Sequence, residues 1–285
     1  MSIVLKNINY TYQINTPFMR KALHNINLYS GKNEILGILG GTGSGKTTLL
    51  QVITGLLTPD SGQIEIDEVD ISQYRKKALN VFDKIGMVFQ VPEEQIFEKK
   101  VFSEVAFGLR KKFLSAEEIR CKVEGALASV GLNADYCQRF TYNLSSGEKR
   151  RLAIASVLAL ETEYIFFDEP TAGLDYEGRV LLLDNIKKLN TEKRIGMIIV
   201  SHDPLEMFSV CHRCVLLKDG CLVFSGDLTD WMANYEILTE QGMVFPQSQQ
   251  LVHELNRRGW DMKGGMKNFA EVAAQIIKCY DGRFH

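Results

Sequence analysis

Between residues 40 and 47 the chain reads Gly40-Gly41-Thr42-Gly43-Ser44-Gly45-Lys46-Thr47, and no other stretch restricts its possible folds as much. The spacing fits G-x-x-x-x-G-K-[ST], the P-loop, a phosphate-cradling turn from a strand into a helix. Its flanks suit that position. Ile35-Leu36-Gly37-Ile38-Leu39 is a continuous apolar run that predicts a buried strand, and Thr48-Leu49-Leu50-Gln51-Val52-Ile53 predicts the first turns of a helix. Glycines let such a loop curl until several N–H groups point inward, and the dipole of the following helix adds positive potential there. The cradle is expected to run from Gly40 to Thr48, with Lys46 reaching the β- and γ-phosphates of a nucleotide and the Thr47 hydroxyl ligating Mg²⁺.

A second element points to the same chemistry. Tyr164-Ile165-Phe166-Phe167 ends in the acid pair Asp168-Glu169, which places two carboxylates at the carboxyl end of a buried strand, where open α/β sheets bind ligands. Asp168 is suited to hold Mg²⁺ directly or through water, and Glu169, one residue on, to orient and deprotonate a water attacking a γ-phosphate.

The surrounding pattern is that of an α/β protein. Residues 3–10 and 24–30 predict an antiparallel edge sheet, and Ile85–Phe89, Tyr164–Phe167 and Ile195–Val200 predict buried strands. Lys218-Asp219-Gly220 is a hairpin turn between short strands. Ser115 before Glu117-Glu118 signals a helix start within a largely helical stretch from about 102 to 140. Together these predict a mostly parallel sheet with helices on both faces. The expected organisation is a nucleotide-binding domain over 1–228, with a helical subdomain at about 92–160, and a small helical appendage over 229–285.

Composition narrows the partners. The chain has 285 residues, 45% hydrophobic, with a net charge of −2, so no overall basic field draws it to nucleic acid. No apolar run approaches the roughly 18 residues that span a bilayer, and Met1–Lys6 lacks the pattern of a signal peptide. A chain kept in the cytosol is expected, held at a membrane by another protein if it works there. Six cysteines are scattered, and Cys211-His212-Arg213-Cys214 has C-x-x-C spacing but no second compact pair, which favours small packing residues over a zinc site.

Three more motifs complete a set. Leu144-Ser145-Ser146-Gly147-Glu148 precedes Lys149-Arg150-Arg151-Leu152; Asp168-Glu169-Pro170-Thr171 runs into Ala172-Gly173-Leu174-Asp175; and Ser201-His202-Asp203 follows Ile198-Ile199-Val200. With Gln90 after Val88-Phe89, the order resembles that of the ATP-binding cassette (ABC) ATPases over about residues 1–225. The resemblance implies ATP and Mg²⁺ as ligands and a head-to-tail pair of cassettes, this chain with a paralogue or with itself. Ser145, Ser146, Gly147 and Glu148 then form the signature loop that faces the partner's ATP. His202 is similar to the family's switch histidine, Gln90 to its Q-loop glutamine at Mg²⁺ and water, and Asp175 to its D-loop residue at the dimer interface. Tyr12 sits where the family places an adenine-stacking aromatic, with Tyr10 as the rival. Glu169, His202, Lys46 and Gln90 are the implied catalytic set, and Thr47, Gln90 and Asp168 the implied metal set. Ser146 replaces the usual glycine; a positive φ there would cost a side chain about 1 kcal/mol.

Gln90-Val91-Pro92-Glu93-Glu94-Gln95-Ile96-Phe97 resembles the Q-loop of energy-coupling factor (ECF) transporter ATPases, which also drive cobalt and nickel uptake. The N-terminal Tyr10–Phe18 and the tail from Phe245 to Gly259 are also similar to that group. This implies a peripheral protein on the cytoplasmic face of the membrane, bound to a transmembrane coupling protein and a substrate-binding membrane protein, that powers uptake of a vitamin or transition metal ion. Acidic Glu93, Glu94 and Glu98 would suit basic groups on such a partner, or form a solvated loop. The alternative is an ABC ATPase outside transport, in assembly or nucleic-acid remodelling.

Overall fold

The continuous apolar runs become neighbouring strands at the centre of the molecule. In this computed structural model, residues 2–76, 81–91, 95–262, 266 and 269–281 are described. The strands are β1 (Ser2–Tyr12), β2 (Arg20–Gly31), β3 (Ile35–Leu39), β4 (Ser61–Ile66), β5 (Val69–Asp70), β6 (Ile85–Val88), β7 (Tyr164–Asp168), β8 (Gly196–Ser201), β9 (Arg213–Lys218) and β10 (Cys221–Gly226). One sheet has the order β10-β9-β3-β8-β7-β6 and is parallel from β9 to β6. Strands β3, β6, β7 and β8 are buried throughout, as strands covered on both faces must be.

Pleating sorts the residues of β3 to two cores. Leu36 and Ile38 face a core shared with the P-loop helix (Lys46–Ile53) and the second, antiparallel sheet β2-β1-β4-β5. Ile35 and Leu39 face the other core, shared with helices at Ala116–Ser129, Ser146–Leu158 and Tyr176–Lys193. One face of the central sheet is thus covered by a helix and a sheet together. The hairpin at Lys218–Cys221 has φ of 49° at Asp219 and 75° at Gly220, the pair of positive values that a tight two-residue hairpin turn needs. Ser115 forms a reciprocal capping box with Glu118.

A polar network ties the sheets together. The Tyr164 hydroxyl donates to Asp67 Oδ1 at 2.7 Å, and Lys84 Nζ bridges Asp67 (3.0 Å) and Glu163 (2.6 Å). Burial alone would raise the Asp67 pKa, but the hydroxyl and the ammonium outweigh it and hold the carboxyl below its ordinary range. Cys211 and Cys214 are buried, with Cys211 Sγ 3.7 Å from Met207 Sδ.

The main core continues past residue 228. Leu228, Trp231, Leu238, Met243 and Phe245 belong to it, and a separate small cluster forms only around Val252, Met262 and Val272 among the described residues. Trp231 is fully buried, meets Phe208 and Phe224 edge-on, and donates its indole N–H to Gly226 O at 3.1 Å. His253 stacks on Tyr235 at 3.9 Å, which packs the helix Gln247–Arg257 against this region.

Trp231→Ala is expected to destabilise the chain by about 3–5 kcal/mol in urea unfolding, because a large apolar volume and an indole donor are lost together. Asp67 has a lowered folded pKa, so its contribution is present above its unfolded pKa and is lost as pH falls through the folded one. Asp67→Asn should therefore lower stability at neutral pH and flatten the acid limb of a stability–pH profile.

Candidate functional site

Sheet order brings the sequence motifs together. β3, β8, β7 and β6 are adjacent and parallel, so the residues after their carboxyl ends share one rim: the P-loop after β3, His202 after β8, Asp168 and Glu169 at the end of β7, and Gln90 after β6. A cavity of about 300 Å³ there is lined by Tyr12, Arg20, Ala22, Thr42, Gly43, Gly45, Lys46, Thr47, Thr48, Gln90, Glu169 and His202. Gly40, Gly41 and Ser44 line an adjoining cavity of about 450 Å³, closed on one side by Gln241–Val244 of the C-terminal segment.

Gly45 makes the turn into the P-loop helix. Its φ is 105°, and a Cβ there would sit 2.8 Å from Ala22 O, so only glycine fits. As the N-cap it offers no side-chain oxygen, and the first N–H groups of the helix stay available to an anion. Lys46 is buried and donates to Gly40 O at 2.8 Å and Gly41 O at 2.9 Å. Burial lowers its pKa, while Glu169 and Asp168 pull it back up.

The acid pair divides into two environments. Asp168 is buried and takes a hydrogen bond from the Thr47 hydroxyl; burial raises its pKa and the nearby Glu169 adds to that, against Thr47 and Lys46. Glu169 lies over the cavity with its carboxylate between two partners: Gln90 Nε2 at 3.4 Å from one oxygen and His202 Nδ1 at 3.2 Å from the other. Its backbone is in the left-handed region, φ 48°, a conformation that costs a non-glycine residue of order 1–3 kcal/mol. The Thr47 hydroxyl, the buried Asp168 carboxylate and the nearby Gln90 amide offer hard oxygen donors of the kind Mg²⁺ takes together with phosphate oxygens. Among the described residues no three or more His, Cys, Asp or Glu side chains group into a self-contained metal cage.

Tyr12 lines the cavity, its hydroxyl 3.1 Å from Thr48 Oγ1; Tyr10 meets it edge-on and does not line the cavity. Arg20, directly across the strand pair from Tyr12, donates to Gly43 O at 3.1 Å, a placement set by strand register and invisible in the linear sequence.

The signature residues stand apart, for none of Ser145–Glu148 lines either cavity. The helix starts at Ser146 with Ser145 as its N-cap, and Ser146 is not among the residues with positive φ, so its side chain carries no such cost. Ser145 and Glu148 form a second capping box, and Glu148 also accepts the Tyr136 hydroxyl at 2.6 Å. Asp175 caps the helix Tyr176–Lys193 by accepting from Gly178 N at 2.8 Å. Glu98 is paired with Arg110 at 2.8 Å, while Pro92, Glu93 and Glu94 lie outside the described residues.

A P-loop, an acid pair two strands away and a histidine just after the strand between them define a nucleoside-triphosphate hydrolase. Comparison with known proteins gives the family. The ABC transporter family profile matches residues 23–172. The energy-coupling factor transporter ATP-binding protein EcfA2 of Clostridium acetobutylicum is 39% identical over 98% of both chains. The solved structure of cbiO1 from Clostridium perfringens, described as part of the ABC transporter complex cbiONQ, superposes with a TM-score of 0.75 at 34% identity, covering 87% of this chain and 97% of that one. The cassette MJ0796, solved as a dimer in a post-hydrolysis state with ADP and Pi, superposes with a TM-score of 0.70 at 30% identity over 79% of this chain and 98% of that one. This chain belongs to the ABC transporter family as an ATP-binding, ATP-hydrolysing member. Among its described residues no helix is long and apolar enough to cross a membrane.

Ser146→Gly is expected to lower stability by about 0.5 kcal/mol, since glycine gives up more backbone freedom than serine in a helix. A gain in the urea midpoint would show strain at Ser146 after all.

Proposed function

We propose that the chain is the ATP-hydrolysing subunit of an ECF-type importer, peripheral on the cytoplasmic face of the membrane, powering uptake of a vitamin or a transition metal ion such as cobalt or nickel through membrane partners. One observation carries the catalytic part: Tyr12, the P-loop, Gln90, Glu169 and His202 wall one cavity, while the signature residues and Asp175 are absent from its walls. A second cassette in head-to-tail arrangement would bring its signature residues to a terminal phosphate bound there. The similarity to EcfA2 over the whole chain supports the ECF assignment, and cobalt rests on the likeness to cbiO1. Residues 1–228 would then be the catalytic cassette, with a helical subdomain at about 92–160, and 229–285 an appendage whose first part, to Phe245, packs into the cassette's main core.

The chain's residues divide the work. Tyr12 stacks on the base. The P-loop amides from Gly40 to Thr48 and the Lys46 ammonium take the β- and γ-phosphates, where buried, fixed donors stabilise developing charge best. Thr47, Asp168 and Gln90 would hold Mg²⁺, which when bound neutralises phosphate charge. Glu169 accepts a proton from the attacking water, and His202, paired with it, orients that water and the γ-phosphate. Ser145 and the N–H groups of the helix starting at Ser146 would face the partner's γ-phosphate. Because ATP alone carries a γ-phosphate to bridge the two chains, its cleavage separates closed from open states and works on the membrane partner.

Glu169→Gln, measured in the complex purified from membranes, should lower kcat by about 10²–10⁴-fold while leaving nucleotide affinity within about twofold. Hydrolysis at the wild-type rate would contradict the assignment.

A further inference from the structure

Glu169 sits on strained backbone, and such a residue persists only where its surroundings hold it. The restraints come from two buried charges. On one side is Arg150 of the signature helix, which is only 5% exposed. One guanidinium arm donates to Ala172 O, in the loop that follows Glu169, and the other to Gln90 O at 3.1 Å. A single side chain on the signature helix therefore grips the two loops that carry Gln90 and Glu169. A planar fork with fixed donor spacing can do this, whereas a lysine ammonium presents one centre of charge.

On the other side is Glu206, 7% exposed. It accepts from Thr171 Oγ1 at 2.5 Å and from Ser201 Oγ at 3.5 Å, and Arg179 lies 3.6 Å away. Ser201 Oγ also accepts from the Asp203 N–H at 3.0 Å, so both neighbours of His202 in the chain are tied to this group. Arg179 Nε donates to Leu174 O at 2.9 Å. The segment from Glu169 to Asp175 is suspended between the signature helix and the helix that follows His202.

We propose that Arg150 is a positioning residue for hydrolysis: it couples movement of the signature helix to the spacing of Gln90 and Glu169, with Glu206 anchoring the far side of the same loop. This rests on the two-cassette function above, in which the signature helix meets the partner's nucleotide. Engagement of that helix by the nucleotide on the partner's P-loop would then set the geometry of the attacking water at this chain's own P-loop. A shift of about 1 Å in such a group is enough to cost up to about a hundredfold in rate.

The test compares Arg150→Lys and Thr171→Val with wild type and Glu169→Gln, all in the assembled complex. Thr171→Val removes one bond to Glu206 and keeps every buried charge, so it serves even if changes at Arg150 fold poorly. Steady-state hydrolysis gives kcat and KM, and fluorescent trinitrophenyl-ATP gives nucleotide affinity. Arg150→Lys and Thr171→Val are each expected to lower kcat by about tenfold or more with affinity within about twofold, and the double variant to lose less than the product of the two. A packing role alone would reduce stability without this split between kcat and affinity. If both variants keep wild-type kcat while Glu169→Gln is inactive, the coupling is refuted and the ATPase assignment stands. If Glu169→Gln is itself fully active, the assignment beneath the coupling falls and takes it along.

Discussion

The positive end of one short, buried helix organises the site. β3 delivers the chain to Gly45, Gly45 turns it with a φ of 105°, and the helix Lys46–Ile53 begins with its N–H groups facing the cavity. An anion placed there meets the helix dipole and a curled loop of amides at once. Strand order does the rest. Because β8 and β7 follow β3 in the sheet, their carboxyl ends bring His202, Asp168 and Glu169 to the same rim. The two cores exist to hold this arrangement, with the P-loop helix packed between central sheet and antiparallel sheet.

The charges at the rim are arranged against the stability of the isolated chain. Asp168 is buried beside Glu169 and near Lys46, and burial disfavours the charged form of both Asp168 and Lys46. Glu169 adds backbone strain. Triphosphate and a divalent cation would relieve the electrostatic part, which makes the ligand a stabiliser of the state it needs. Arg150 and Glu206 then fix the loop bearing Glu169, so the strain stays where the chemistry is.

Features set by local chemistry could be read from the sequence, and features set by distant pairing could not. The P-loop, the buried strands, the capping box at Ser115 and the Asp219-Gly220 turn each follow from a few adjacent residues with fixed backbone preferences. Arg20 was missed because its place opposite Tyr12 depends on strand register across a turn. Arg150 was missed because its acceptors lie 60 and 22 residues away and are backbone carbonyls, which carry no residue signature. Whether Ser146 would be strained depended on a backbone angle that the residue type does not give: the helix starts one residue after Ser145, where a serine needs no special backbone. The main core runs on to Phe245 through Trp231, a buried aromatic whose packing partners lie elsewhere in the chain and leave no local signal.

The central claim is that terminal phosphate joins two chains, one giving the P-loop and the other the signature helix. A structure of the Glu169→Gln complex saturated with ATP and Mg²⁺ tests it most directly. The γ-phosphate should contact Lys46 of one cassette and the signature-helix N-terminus, at Ser145 and Gly147 or their equivalents, of the other. A terminal phosphate surrounded only by groups of its own chain, with the second cassette's signature loop remote from it, would contradict the claim.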